Sequence, residues 1–368
     1  MTEKIYVTKP AMPPIEELLP YLKNIWESQI LSNGGCFHEQ LEKELCNYLG
    51  VKYISLFSSG TTALIAAVNL FDLSGEVITT PFSFVATSHA IKWNNLKPVF
   101  VDIDKDTFNI SPEKIEQAIT DKTTAILPVH CYGIPCDVEA IDHIAKKYNL
   151  KVIYDASHAF GVEDRSGSIL QYGDASALSF HATKVFNTFE GGAVVCKSLE
   201  EKQRLHRFKN FGISKANTVD VIGLNGKMSE INAAFGILQL KYLDEYISKR
   251  KDIFEYYRQE LSSIEGLEII KFKPGTIFNY CYFPILIGER FPVKCKDLMI
   301  FLEQQNIFCR RYFYPLISDF DAYKNLVTGK IDFVNAKKAA DNILCLPIFP
   351  DLSKDNVGRI VDIIKGQL

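Results

Sequence analysis

The sequence predicts an α/β protein in which a mostly parallel seven-stranded sheet is covered by helices on both faces and followed by a smaller C-terminal α/β unit. Three observations carry this. Seven short apolar runs, at 51–57, 77–80, 98–101, 125–129, 152–154, 175–180 and 193–196, alternate with helix-like stretches. Residues 227–261 are rich in Glu, Ala, Leu, Lys and Arg with little Gly or Pro, which reads as one or two long helices leading out of the first unit. Beyond them the pattern changes to strand-like runs at 267–271 and 280–287 and helices near 295–305, 335–343 and 354–365. The large domain is therefore expected over residues 1–245 and the small one over 246–368.

Between the apolar runs of the first unit lie helix candidates at about 60–72, 83–93, 111–119, 137–148 and 199–210. The one at 111–119 opens with Ser111-Pro112-Glu113, an N-cap followed by proline and an acid in the first turn, which is where those residue types stabilise a helix. In a sheet wound this way ligands sit at the carboxyl ends of the strands. Residues at those ends are the ones to inspect.

Composition narrows the function classes. With 368 residues, 47% hydrophobic and 23% charged, the chain can bury one large core and a smaller one. A formal charge of −3 and scattered basic residues give no nucleic-acid footprint and no polybasic membrane patch. The first ten residues lack an apolar signal-type segment, and no run approaches the roughly 20 apolar residues of a spanning helix. Nine cysteines at irregular intervals fit neither a disulfide framework nor zinc knuckles, so free thiols in a reducing cytoplasm are expected. His130, Cys131 and Cys136 are the densest cluster, but no second pair follows at zinc spacing and no metal is expected.

Two segments point to covalent chemistry. Ser-Phe-His-Ala-Thr-Lys at 179–184, running into Phe-Glu-Gly-Gly-Ala at 189–193, sets one lysine between apolar residues and a glycine turn. Upstream, Lys-Val-Ile-Tyr-Asp-Ala-Ser-His at 151–158 puts Asp155 at the end of a β-branched run, with His158 three residues on. An aspartate that keeps a pyridine nitrogen protonated, and a lysine that forms a Schiff base, suit pyridoxal phosphate. Ser58-Ser59-Gly60-Thr61-Thr62 lies between a strand and an Ala-rich helix, where hydroxyls and backbone N–H groups converge on a phosphate. Phe84 follows another strand end and could stack on a flat cofactor. Each residue has a plainer reading: a helix cap at 58–62, a core aromatic at Phe84, a turn cap at Asp155, a core histidine at His158, a solvated lysine at Lys184.

The segments Ser-Gly-Thr-Thr-Ala-Leu (59–64), Thr-Pro-Phe-Ser-Phe-Val-Ala-Thr (80–87), Asp-Ala-Ser-His-Ala (155–159), Ser-Phe-His-Ala-Thr-Lys (179–184), Glu-Gly-Gly-Ala (190–193) and Gly-Leu-Asn-Gly-Lys-Met-Ser-Glu (223–230) together resemble the DegT/DnrJ/EryC1/StrS nucleotide-sugar aminotransferases. The matches run in the family's order from about residue 10 to the end. This implies an aspartate-aminotransferase-like subunit of PLP fold type I, working as a homodimer with shared active sites. By position, Lys184 would carry the cofactor and shuttle the proton, Asp155 would pair with the pyridine nitrogen, Phe84 would stack on the ring and His158 would contact its phenolic oxygen. Gly60, Thr61 and Ser179 would hold the phosphate, with Asn225 reaching in from the partner subunit. Gly35, Tyr312 and Tyr314 resemble family segments near the substrate, although the aromatic run also reads as a core or interface strand.

Some members carry histidine at the lysine position and act as dehydratases, a branch that Lys184 argues against. Members aminating C3 often read Phe-Tyr-Pro-x-Lys-Asn-Leu-Gly, whereas this chain reads Phe-His-Ala-Thr-Lys-Val-Phe-Asn and resembles the C4-aminating members. Val-Thr-Lys-Pro at 7–10, Pro13-Pro14, Ile25-Trp26 and Leu-Ser-Asn-Gly-Gly at 31–35 also resemble the subgroup forming dTDP-4-amino-4,6-dideoxyglucose. The resemblance thus implies transfer of the amino group of L-glutamate to C4 of dTDP-4-keto-6-deoxy-D-glucose, in the cytoplasm, for O-antigen, lipopolysaccharide or other surface sugars. The alternatives are amination at C3 or on a UDP- or GDP-linked ketosugar, and, from another class, a noncatalytic regulator built on the same fold.

Overall fold

The computed structural model describes residues 3–326 and 332–368. Its largest sheet has seven strands in the spatial order Tyr53–Phe57, Gly192–Cys196, Ala175–Ser179, Lys151–Asp155, Thr123–Ile126, Glu76–Thr79 and Lys97–Phe100. All neighbours are parallel except Gly192–Cys196, which runs antiparallel to the strand on each side. The central strands are apolar along their length, as they must be when helices cover both faces. Val152, Ile153 and Tyr154, for instance, are all buried. The fold expected from alternation is the one observed, and the helices Gly60–Asn69, Pro112–Gln117, Val138–Tyr148 and Leu199–Lys209 fall inside the expected windows. The helix expected from 83 begins at Ala86 instead, which leaves Ser83 and Phe84 on the preceding loop.

The edge strand Tyr53–Phe57 is shielded from further pairing by buried charges. Leu56 donates its N–H to Glu42 Oε1 (3.1 Å) and its carbonyl accepts from Lys209 Nζ (2.9 Å). A charged pair thus takes the hydrogen bonds that an exposed edge would offer to another chain. The same strand leads directly into the Ser58–Thr62 loop.

A second sheet, antiparallel, pairs Leu267–Ile269, Phe283–Ile287 and Ile343–Leu346. The helices Cys295–Gln304, Val334–Asn342 and Lys354–Lys365 contribute buried faces to the same core. The helix Glu230–Leu261 is continuous for 32 residues, so at 1.5 Å per residue it is about 48 Å long. Its first turns pack Phe235 and Leu238 on Leu18, and its last turns pack Phe254 and Tyr257 on Phe283. The expected boundary at 245/246 therefore falls inside an unbroken helix. The N-terminal segment also crosses over, since Ile5–Tyr6 pairs in parallel with Ile307–Phe308.

Two helices that periodicity left unassigned, Ile15–Ser28 and Cys36–Leu49, precede the first strand of the large sheet. The second is capped by a residue far along the chain. Glu230, 1% exposed, accepts from the N–H groups of Phe37 (2.9 Å) and His38 (3.0 Å). A carboxylate there satisfies two orphan donors and meets the positive end of the helix. Glu230→Ala should destabilise the fold by about 2–4 kcal/mol, because both N–H groups would be left buried without acceptors. Denaturant titration checks this, and an unchanged midpoint would contradict it.

Candidate active site

The cofactor cavity expected from the sequence exists, at the carboxyl ends of the central strands. It encloses about 500 Å³ and is lined by Ser59, Gly60, Thr61, Phe84, Asp155, His158, Ser179 and Lys184, among others. Those residues come from four different strand ends, so only the parallel winding of the sheet could gather them.

Asp155 is the last residue of the strand Lys151–Asp155 and is 4% exposed. Thr87 Oγ1 donates to its Oδ2 (2.7 Å), while Ser157 donates both N–H (3.1 Å) and hydroxyl (2.6 Å) to Oδ1. Ser83 Oγ and Thr87 Oγ1 share a further hydrogen bond of 2.8 Å. A buried carboxylate is costly unless hydrogen-bonded, and this one is held from both sides. The roles of Thr87 and Ser157 emerge only from the folded geometry. Their signals in the sequence are local: Ser157 follows Asp155 at the two-residue spacing of an Asx turn, and Thr87 lies at the start of the helix after Phe84.

Lys184 lies on the connection between the antiparallel neighbours Ala175–Ser179 and Gly192–Cys196. Its N–H donates to the carbonyl of His181 (2.9 Å). Burial pulls the amine's pKa below the ordinary lysine value, with the Asp155 carboxylate pushing back in the opposite direction. A desolvated ammonium is disfavoured relative to the neutral amine, and the neutral form is the nucleophile. Recapture of pyridoxal phosphate by the stripped protein, followed by its visible absorbance, should therefore reach half its plateau rate at a pH below 10.5. A midpoint at or above that value would contradict the burial argument.

The neighbouring groups are fixed by short contacts. His158 Nδ1 accepts from the Tyr132 N–H (3.2 Å), leaving Nε2 to carry the proton. Burial, reinforced by the charge of Lys184, holds this imidazole well below its usual pKa and so neutral. Its ring lies parallel to Phe313 at 5.9 Å and edge-on to Tyr282 at 4.9 Å. Phe84 stands on the cavity wall, 61% exposed.

At the other end, Ser59 caps the helix Gly60–Asn69 in a reciprocal capping box with Thr62. The cap takes the Thr62 N–H, which leaves those of Gly60 and Thr61, both lining the cavity, at a helix start that attracts an anion. Gly60 is required for the close approach of Ser179, because a Cβ at residue 60 would lie 2.6 Å from the Ser179 Cβ.

These features fit pyridoxal phosphate. A backbone cradle with hydroxyls suits the phosphate, a buried carboxylate accepting three hydrogen bonds suits a protonated ring nitrogen, and an amine of lowered pKa lines the same cavity.

Three expected residues lie elsewhere. Asn225 is exposed and does not line this cavity, though its backbone bridges Asn210 and its neighbour Gly226 accepts from the Ser58 N–H (2.8 Å). Gly35 is seated at the N-cap of Cys36–Leu49, where a Cβ would come 2.5 Å from the Glu230 Cδ. Its lack of a side chain admits the capping carboxylate. Tyr312 lines the cavity, whereas Tyr314 faces an adjoining groove of about 830 Å³ under the guanidinium of Arg311, 3.6 Å above its ring. The groove shares Ser83, Phe84, Thr183, Tyr312 and Phe313 with the cavity.

Comparison with known proteins agrees with this geometry. Residues 14–365 match the family described as DegT/DnrJ/EryC1/StrS aminotransferase family. A dTDP-4-amino-4,6-dideoxy-D-glucose transaminase of Shigella dysenteriae is 55% identical over 99% of both chains, and one of Escherichia coli is 49% identical over 99% of both. The crystal structure of DesI in the presence of its TDP-sugar product superposes with a TM-score of 0.94 at 30% identity, covering 99% of this chain and 93% of that one.

Proposed function

Since this chain belongs to the DegT/DnrJ/EryC1/StrS aminotransferase family, we propose that it moves the amino group of L-glutamate to C4 of dTDP-4-keto-6-deoxy-D-glucose. The product is dTDP-4-amino-4,6-dideoxy-D-glucose, a precursor for surface polysaccharides such as O-antigen. The observation that carries this reading is the full-length identity of 49–55% to two transaminases named for that sugar.

Pyridoxal phosphate, when bound, supplies a conjugated system that stabilises negative charge on the carbon losing its proton. Gly60, Thr61 and Ser179 would hold its phosphate, Asp155 its ring nitrogen, Phe84 one ring face and His158 its phenolic oxygen. Thr87 and Ser157 fix Asp155 so that the carboxylate needs no reorientation during turnover. Lys184 would remove a proton from one carbon and return it to another, serving as amine and then as ammonium. Glutamate and the ketosugar use this cavity in turn, so ping-pong kinetics follow.

The site is shared in a homodimer, with Asn225 reaching the partner's cofactor phosphate. Its exposure outside its own cavity supports that arrangement. Tyr312 and Tyr314 line the sugar nucleotide's route, and the arginines of the adjoining groove favour a diphosphate there. None of the nine cysteines is bridged, which supports a reducing cytoplasm. No helix among the described residues is long and apolar enough to cross a membrane.

A single-turnover experiment tests the substrate. The protein is converted to its pyridoxamine form with glutamate, freed of excess donor and mixed with a panel of dTDP-, UDP- and GDP-linked 3- and 4-ketosugars. Rapid return of the visible band is expected with dTDP-4-keto-6-deoxyglucose. Faster return with another sugar would overturn the assignment.

A further inference from the structure

Two polar side chains that line the cavity, His181 and Glu190, lie outside the set assigned to the cofactor, and local contacts hold the backbone that carries them. The Glu190 carbonyl takes two hydrogen bonds, and a third ties the same turn at Thr188. The first two come from Asn232 Nδ2 (2.7 Å) and Thr188 Oγ1 (2.8 Å), and Asn232 Nδ2 also donates to the Thr188 carbonyl (2.7 Å). Asn232 sits in the first turn of the long helix Glu230–Leu261, so the helix start serves as the anchor. The residue before Glu190, Phe189, has φ +61°, a left-handed conformation rare for an aromatic side chain. Its ring is held in place by stacking on Phe235 at 4.1 Å. Strain of this kind persists only where surrounding contacts enforce it, and it gathers at functional sites. Gly191 completes the turn, since a Cβ there would collide with Thr188 Oγ1 and Met228.

The imidazole opposite is equally fixed. His181 Nδ1 accepts from the Thr183 N–H (3.2 Å) and is 2.8 Å from Thr183 Oγ1. That leaves the proton on Nε2, which lies 3.5 Å from Glu190 Oε1. A carboxylate carried on a backbone held by these contacts, and an imidazole of set tautomer 3.5 Å from it, thus line the cavity together with Lys184.

We propose that Glu190, oriented by His181, is a specificity-determining residue that accepts hydrogen bonds from the ring hydroxyls of the ketosugar. The proposal rests on the two-substrate reading above and deepens it. One cavity must admit a dicarboxylate donor and then an uncharged polyhydroxylated ring. A carboxylate on the wall sorts the two: it accepts from hydroxyls and repels the carboxylates of glutamate, which must keep to the other side. His181 acts through Glu190 as a positioning residue.

The test separates the two half-reactions of the holoenzyme by stopped-flow absorbance. In Glu190→Gln the concentration of ketosugar giving half-maximal rate should rise by roughly 10-fold or more, the size of effect expected when a hydroxyl loses a charged acceptor. The glutamate concentration dependence should stay the same or improve. His181→Ala should reproduce the ketosugar defect, and His181→Gln, which keeps a donor near the Nε2 position, should restore most of it. The sugar used is whichever nucleotide ketosugar returns the visible band in the wild type. Rejection of all of them by the wild type would overturn the substrate reading and this proposal together. A wild type that accepts one, with Glu190→Gln unchanged toward it or with both half-reactions falling equally, would overturn this proposal alone.

Discussion

Lys184→Ala is expected to lower steady-state transamination by roughly 10³-fold or more, because the role proposed for it has one side chain both carry the cofactor and move the proton. Among the described residues no other lysine lines the cavity. The fold should survive, since the amine makes no hydrogen bond that holds an element in place and Lys184 sits on a connection between strands. The phosphate cradle and Asp155 remain, so the variant should still bind pyridoxal phosphate, more weakly. Borohydride reduction followed by peptide mass mapping separates the roles: the wild type should retain the cofactor on the peptide containing Lys184, and the variant should retain none. Turnover within ten-fold of wild type would show that another group does the proton transfer.

Asp155→Asn should be the second most damaging change, with a loss of roughly 10²–10⁴-fold in kcat, comparable to removing other preorganised charges from active sites. The amide is nearly the same size, its oxygen can keep both hydrogen bonds from Ser157, and Thr87 Oγ1 can turn to accept from the new NH2, so packing should be preserved. What is lost is the negative charge. That loss has a second consequence with a definite sign. The Asp155 carboxylate raises the pKa of Lys184 against the larger lowering by burial. Removing it leaves burial unopposed, so the lysine should titrate lower still, and the midpoint for cofactor recapture should move to lower pH than in the wild type. A midpoint moving upward, or kcat within a few-fold of wild type, would contradict the assigned role.

The large-domain topology was legible because parallel strands buried on both faces announce themselves as short apolar runs, and because Ser111-Pro112 and Ser59 mark helix starts by local chemistry. Lys184, Asp155 and the Ser59–Thr61 loop were legible for the same reason, each standing at the end of such a run. Residues whose roles depend on distant partners were not. Glu230 caps a helix nearly two hundred residues upstream, and nothing in its own neighbourhood says so. Gly35 reads as a substrate contact from the resemblance, and only the structure shows that it also leaves the space Glu230 needs. The parallel pairing of Ile5–Tyr6 with Ile307–Phe308 is too short and too non-local to leave a pattern. The helices Ile15–Ser28 and Cys36–Leu49 escaped because the first holds Pro20 in its interior and the second keeps His38 and Glu42 among its buried residues, blurring the apolar stripe.

The central claim is that nitrogen passes from glutamate to C4 of the sugar. The most direct measurement supplies the holoenzyme with ¹⁵N-labelled L-glutamate and dTDP-4-keto-6-deoxyglucose and follows the sugar by ¹³C and ¹⁵N NMR. The account predicts a one-bond ¹⁵N coupling at C4 of a dTDP-linked product, with 2-oxoglutarate formed in equal amount. Label at C3, or 2-oxoglutarate formed only to the extent of one turnover with the sugar unchanged, would contradict it.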